Sequence, residues 1–185
     1  MNVLKNSICY LAGPIEKDVE HGKGWRRNVI SKLHQSNVNI IFLDPTNKEW
    51  STDKTIDDEV THSNYLRKAG KWHEMRDYVK KIRRTDLRCC DLSDFIIAKV
   101  DNKIPTCGTM DEIFTAEDQK KPIFILSEKG LDSIPTWLFS VVREHEVFNS
   151  EDDLVKRLIG INTGKYPTDD RWVFMRDYIK AKTFK

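Results

Sequence analysis

Three carboxylates in this chain sit where chemistry could use them. Met75, Tyr78, Val79 and Ile82 fall on one face of a helix, and continuing that face four residues on lands on Asp86. A carboxylate on an inward stripe costs on the order of several kcal/mol unless it is paired or faces a cleft. Asp94 opens the apolar run FIIAKV at 95–100, and Glu112 lies in the first turn of a helix that begins at Thr109. Each of the last two also has a structural reading. Thr109-Met110-Asp111-Glu112 fits a capping box, and Asp94 fits the turn into a strand. Other chemistries lack their residues. Gly13-Pro14 and Gly22-Lys23-Gly24 make neither a dinucleotide fingerprint nor a Walker loop, and the five histidines show no ligand or triad spacing. What remains is carboxylate chemistry without a metal. A carboxylate nucleophile with a second acid nearby is the equipment for cleaving a glycosidic bond through an oxocarbenium-like transition state.

The elements that must position these groups alternate between strand and helix. ICYLA (8–12) stops at Gly13-Pro14, and NIIFL (39–43) stops at Asp44-Pro45. FIIAKV (95–100) and PIFIL (122–126) are continuous apolar runs of the kind buried on both faces of a parallel sheet, and HEVF (145–148) is a weak last strand. Helical spacing runs from about Trp25 through Val29, Ile30 and Leu33, through the face that ends at Asp86, from Thr109, and after Ser150 through Leu154, Val155, Leu158 and Ile159. The fold class is therefore α/β, a flavodoxin-like, doubly wound, mostly parallel five-stranded sheet with helices on both faces. One domain is expected over 1–160, with an irregular insertion at about 46–71, and a polar, aromatic-containing tail over 161–185. Ligands of such sheets bind outside the carboxyl ends of the strands at the switch point, here between the first and third strands. That places Tyr10 to Asp18 and Asp101 to Glu112 around the crevice.

Composition agrees with one ordinary domain. The 185 residues carry 31 Lys+Arg against 29 Asp+Glu, a net charge of +2, and are 39% hydrophobic. Such a balance gives no global attraction to nucleic acid or membrane, and the basic run Lys80-Lys81-Ile82-Arg83-Arg84 reads as a solvated helix face. Cys9, Cys89, Cys90 and Cys107 have no zinc spacing and read as reduced thiols. The apolar run near the start is too short for a signal-peptide core, so a cytoplasmic protein is expected.

Taken in order, Tyr10-Leu11-Ala12-Gly13-Pro14, Asp86-Leu87, Asp94-Phe95-Ile96-Ile97-Ala98, Gly108-Thr109-Met110-Asp111-Glu112 and Lys121-Pro122 resemble the nucleoside 2-deoxyribosyltransferase family. The intervals of 26 residues from Asp86 to Glu112 and 18 from Asp94 to Glu112 match that family's spacing, and the likeness spans roughly 7–127. The resemblance implies that Glu112 attacks the anomeric carbon of a deoxynucleoside or deoxynucleotide and holds the sugar as a covalent ester. Tyr10 would orient that carboxylate, and Asp86 would hold the leaving base and help protonate it. A free nucleobase or water would then complete a double displacement with retention. Gly13, Pro14, Asp94, Thr106, Gly108 and Thr109 are the implied substrate-binding residues. No cofactor, nucleic acid or membrane partner is implied, and a homo-oligomer is.

One position departs from the pattern. Transferases of free nucleosides carry an acid six residues before the nucleophile, where this chain has Thr106. Related N-glycosidases acting on nucleoside 5′-monophosphates carry a hydroxyl there, which makes hydrolysis of a monophosphate the first alternative. Lys17, Lys23 or Arg26 in the loop after the first strand could add positive charge for a phosphate. A non-catalytic nucleotide sensor, with Glu112 reduced to a cap, is the second alternative.

Overall fold

The computed structural model describes residues 2–15, 20, 22–48, 56–101, 103–104 and 106–174. Five parallel strands, β1 (Ser7–Ala12), β2 (Ile40–Leu43), β3 (Phe95–Lys99), β4 (Ile123–Leu126) and β5 (Val147–Phe148), form one sheet in the order β2-β1-β3-β4-β5. This is the expected doubly wound α/β order, with the reversal at β1, whose Tyr10 is flanked by Leu43 on β2 and Ile96 on β3. Side chains alternate across the pleat into two cores. Cys9, Leu11, Phe95, Ile97, Phe124 and Leu126 pack against α1 (Lys23–Gln35) and a helix near the chain's end, α5 (Glu151–Thr163). Tyr10, Ala12, Ile96, Ala98, Ile123 and Ile125 pack on the other face, with Cys89 and Cys90 of α3 (Trp72–Leu92) and Ile113 and Ala116 of α4 (Cys107–Asp118).

The stretch expected as irregular contains a helix, α2 (Ile56–Lys68). Its inward face carries polar as well as apolar residues, so hydrophobic periodicity does not reveal it. The charges at its ends do. Asp57, Asp58 and Glu59 occupy its first turn and Arg67 and Lys68 its last, the arrangement that complements the helix dipole. Residues 49–55 of the expected insertion lie outside the described residues. The last strand is shorter than HEVF, because Glu144–Glu146 form a 3-10 turn and leave only Val147 and Phe148 to pair with β4.

Beyond β4 the chain returns through α5, whose start is capped as expected, Ser150 Oγ accepting from Asp153 N at 3.1 Å. The helix runs to Thr163, so the boundary expected at 160 falls in its last turn. Part of the expected tail belongs to the domain's packing. Trp172 stacks against Phe95 and Phe124, with ring centroids 5.2 and 6.1 Å away, and Arg171 joins Glu146 and Asp169 in an ion-pair cluster. Residues 175–185 lie outside the described residues. Trp172→Ala is expected to lower the free energy of unfolding by about 2 kcal/mol, read from a denaturant midpoint. An unchanged midpoint would mean that this segment rests on the core without stabilising it.

Candidate active site

A crevice of about 430 Å³ opens at the carboxyl ends of β1 and β3, within the range that accepts a small organic ligand. Gly13, Pro14 and Ile15 form its edge after β1. One wall comes from α2 (Ile56, Glu59, Val60, Ser63, Arg67), a second from α3 (Met75, Val79, Ile82, Asp86), and the floor from Thr106 to Thr109 and Glu112. Each helix presents residues at three- and four-residue spacing, and each of these stripes includes a carboxylate.

Glu112 is the buried carboxylate of the floor. It stands in the second turn of α4, on the same buried stripe as Thr109, Ile113 and Ala116, because the helix begins at Cys107 rather than Thr109. The expected capping box is therefore absent. Thr106 holds the N-cap position without a side-chain cap bond, and the Glu112 side chain is engaged elsewhere. Its partner is the phenol of Tyr10, itself fully buried on β1, which donates to Glu112 Oε1 at 2.7 Å. Burial pushes the Glu112 carboxyl up to about 8; the Tyr10 hydrogen bond opposes the shift, the Asp86 charge adds to it, and Arg26 and Lys48 oppose it. Burial and the neighbouring Glu112 and Asp86 hold the Tyr10 phenol well above its ordinary range, so it stays a donor.

Asp86 faces the crevice from α3, as its place on the helix stripe implies. Burial raises its carboxyl, and Lys48 opposes that, with the ammonium 3.0 Å from Asp86 Oδ1. Lys48 is itself buried and also donates to both oxygens of Glu59, at 3.0 and 3.3 Å. Neither Lys48 nor Glu59 stands out in the sequence, since both belong to the stretch that reads as aperiodic. The acidic start of α2 is the one signal that could have drawn attention to Glu59.

Arg26 is not a loop cation. It lies in α1 with no exposed surface and donates to the carbonyls of Leu11 (3.1 Å), Gly22 (2.8 Å) and Gly13 (3.2 Å), with Asp44 Oδ1 3.6 Å away. It therefore fixes the loop after β1 from below. Gly13 is required there by close approach, since a Cβ would come within 3.0 Å of the Trp25 ring and 3.2 Å of Lys99 Cβ. Lys23 pairs with Asp57 at 2.8 Å, and Lys17 lies outside the described residues.

The remaining expected residues divide. Gly13, Pro14, Thr106, Gly108 and Thr109 all border the crevice, and the space in front of Gly108 is open. Asp94 does not reach it. It sits at the amino end of β3, where its Oδ2 accepts from Ile8 N at 2.7 Å and its own N–H donates to Ile8 O at 2.7 Å. A carboxylate that opens a strand is carried to the end of the sheet opposite the crevice, so its role is to start the β1–β3 pairing. Among the described residues no His, Cys, Asp and Glu side chains group to hold a metal ion, and no helix is long and apolar enough to cross a membrane.

The sequence matches no protein-family model and no curated protein. Solved structures do match. The 2-deoxyribosyltransferase of the psychrotolerant bacterium Bacillus psychrosaccharolyticus, described as a biocatalyst for nucleoside synthesis, superposes with a TM-score of 0.54 over 80% of this chain and 90% of its own, at 14% identity. The chain has that enzyme's fold.

A buried carboxyl raised to about 8 makes stability depend on pH in a defined direction. The folded state holds a proton that the unfolded chain releases near 4.5, so stability is lost as pH rises from about 4.5 to 8. Glu112→Gln mimics the protonated form and removes this loss. The variant is expected to match the unaltered protein near pH 4.5 and to exceed it by about 1–3 kcal/mol at pH 8.5 in chemical denaturation. Parallel pH dependences in the two proteins would show that Glu112 ionises freely.

Proposed function

We propose that the protein cleaves or exchanges the N-glycosidic bond of a deoxynucleoside or deoxynucleotide through a covalent ester on Glu112. The observation that carries this reading is the Tyr10 to Glu112 hydrogen bond at the crevice floor, with Asp86 on the adjoining wall. A buried carboxyl oriented by a phenol and backed by a second carboxylate is suited to a sugar carbon that gains positive charge as its bond to nitrogen breaks. Similarity in fold to a 2-deoxyribosyltransferase supports the same chemistry.

Charge balance gives the steps an order. In the empty crevice burial keeps a proton on Glu112, while Asp86 stands beside the Lys48 ammonium. As the base settles against Asp86, the proton passes through that carboxylate to a ring nitrogen of the base, leaving Glu112 an anion. An oxygen of Glu112 then forms the bond to the anomeric carbon, and the electrons of the broken C–N bond leave with the protonated base. An incoming base or water attacks the ester from the opposite face, gives up a proton and restores Glu112 with net retention.

One observation favours a 5′-monophosphate. Thr106 and Gly108 lie on the crevice floor at the start of α4, a 12-residue helix whose first N–H groups have no intrahelical partner. The hydroxyl of Thr106 can donate to a phosphate, whereas a carboxylate there would repel it. Hydrolysis of a monophosphate is thus the second reading. The homo-oligomer that the resemblance implies is part of the proposal.

The test is incubation with a panel of nucleosides and 5′-monophosphates, each with and without a second free base, followed by chromatography of the released bases. Base release is expected, faster for monophosphates, and lost by on the order of 10³-fold or more in Glu112→Gln and by about 10²–10⁴-fold in Asp86→Asn. Thr106→Asp should erase the preference for monophosphates. Acceleration by a second base identifies a transferase. Ligand binding with no release from any substrate would instead identify a sensor.

A further inference from the structure

Lys48 follows β2 by five positions and carries its ammonium beneath the crevice, where the side chain is 4% exposed. A lone buried ammonium is costly, and this one lies 3.0 Å from a carboxylate on each of two helices, Glu59 of α2 and Asp86 of α3. Glu59 and Asp86 both border the crevice, so the lysine stands behind two of its walls at once. Asp86 Oδ1 has no surface exposed to solvent and makes no hydrogen bond of good geometry, which leaves the Lys48 charge as its compensation. Among the described residues, the other groups whose charge reaches Asp86 are Arg26 of α1, Tyr10 of β1, Glu112 of α4 and, on its own helix, Cys89. Arg26 is committed to the carbonyls of Leu11, Gly13 and Gly22, and the other three can only add negative charge or none.

We propose that Lys48 is a positioning residue that holds Asp86 as an anion aimed into the crevice and, through Glu59, latches α2 against the same carboxylate. This rests on the proposed glycosidic chemistry and adds to it the part that decides where the single proton resides. With Lys48 in place Asp86 is the charged member and Glu112 the protonated one. Without it Asp86 becomes the better base in its surroundings and keeps the proton, so a base settling there no longer draws it from Glu112. The latch also ties recognition to chemistry, because α2 supplies Glu59, Val60 and Ser63 to one wall of the crevice. Displacing α2 pulls on the ammonium that sets the charge of Asp86.

The test follows the side-chain carboxyl carbon of Asp86 by NMR in protein labelled with ¹³C-aspartate, the signal assigned by its loss in Asp86→Asn. No substrate is present, so the outcome does not depend on the reaction. In Lys48→Met the titration midpoint of Asp86 is expected to rise by about one to three pH units, the scale of an opposite charge at this separation, while Lys48→Arg stays near the unaltered protein. If Lys48→Met does not fold, Lys48→Met/Glu59→Gln removes the ammonium together with one of its carboxylates, and Glu59→Gln alone is its reference. An Asp86 midpoint unmoved by loss of Lys48 overturns the proposal. Where base release is measurable, kcat should fall by on the order of 10²-fold in Lys48→Met and recover in part in Lys48→Arg. A chain that releases no base from any nucleoside or nucleotide overturns the glycosidic reading and leaves the titration to judge Lys48 separately.

Discussion

A carboxyl buried where a parallel sheet ends is the constraint from which the rest of this structure follows. Glu112 occupies a position on α4 that packing alone would give to a residue like its neighbours Ile113 and Ala116. Burial there disfavours its charge, and a hydrogen bond that steadies it comes from Tyr10, a side chain held in the core by β2 on one side and β3 on the other. The central strand thus delivers the phenol, the helix delivers the carboxyl, and neither can shift without breaking the sheet register or the helix packing. Rigid elements hold the pair more firmly than loops could.

Around this pair the molecule sets two buried cations with distinct duties. Arg26 spends its guanidinium on backbone carbonyls and so shapes the turn after β1, where Gly13 is pressed between Trp25 and Lys99. Lys48 spends its ammonium on the carboxylates of two helices and so joins the crevice walls. Both lower the cost of charge at Glu112 without touching it. The crevice therefore combines a carboxyl that burial raises to about 8 on its floor with a second carboxyl set beside the Lys48 ammonium on its wall, two acids whose surroundings differ.

Much of this is legible in the sequence because its signals are periodic. FIIAKV and PIFIL are legible as strands because residues buried on both faces must be apolar at nearly every position, ICYLA and NIIFL because they are short apolar runs stopped by Gly13-Pro14 and Asp44-Pro45, and the α/β class follows from their alternation with helices. Asp86 is legible because it interrupts an apolar stripe. Glu112 is harder, since Thr109-Met110-Asp111-Glu112 satisfies the pattern of a capping box; the spacing 109, 112, 113, 116 is the cue that it faces inward. Asp94 misleads because proximity in sequence to a buried strand does not say which end of the strand a residue occupies. Helix α2, Lys48 and Glu59 escape because their stripe is built from charges that find partners only in three dimensions, and Arg26 because a buried guanidinium bonded to carbonyls looks, in sequence, like any surface arginine.

The central claim is that Glu112 forms a bond to the sugar. Its most direct test is the mass of the protein after incubation with a 2′-fluoro-2′-deoxynucleoside or its 5′-monophosphate, in which the electron-withdrawing fluorine slows both formation and breakdown of the ester. An added fluorodeoxyribosyl or fluorodeoxyribosyl phosphate mass is expected, located by peptide mapping on Glu112 and absent from Glu112→Gln. Turnover of natural substrates with no adduct at Glu112, or an adduct that persists in Glu112→Gln, would contradict it.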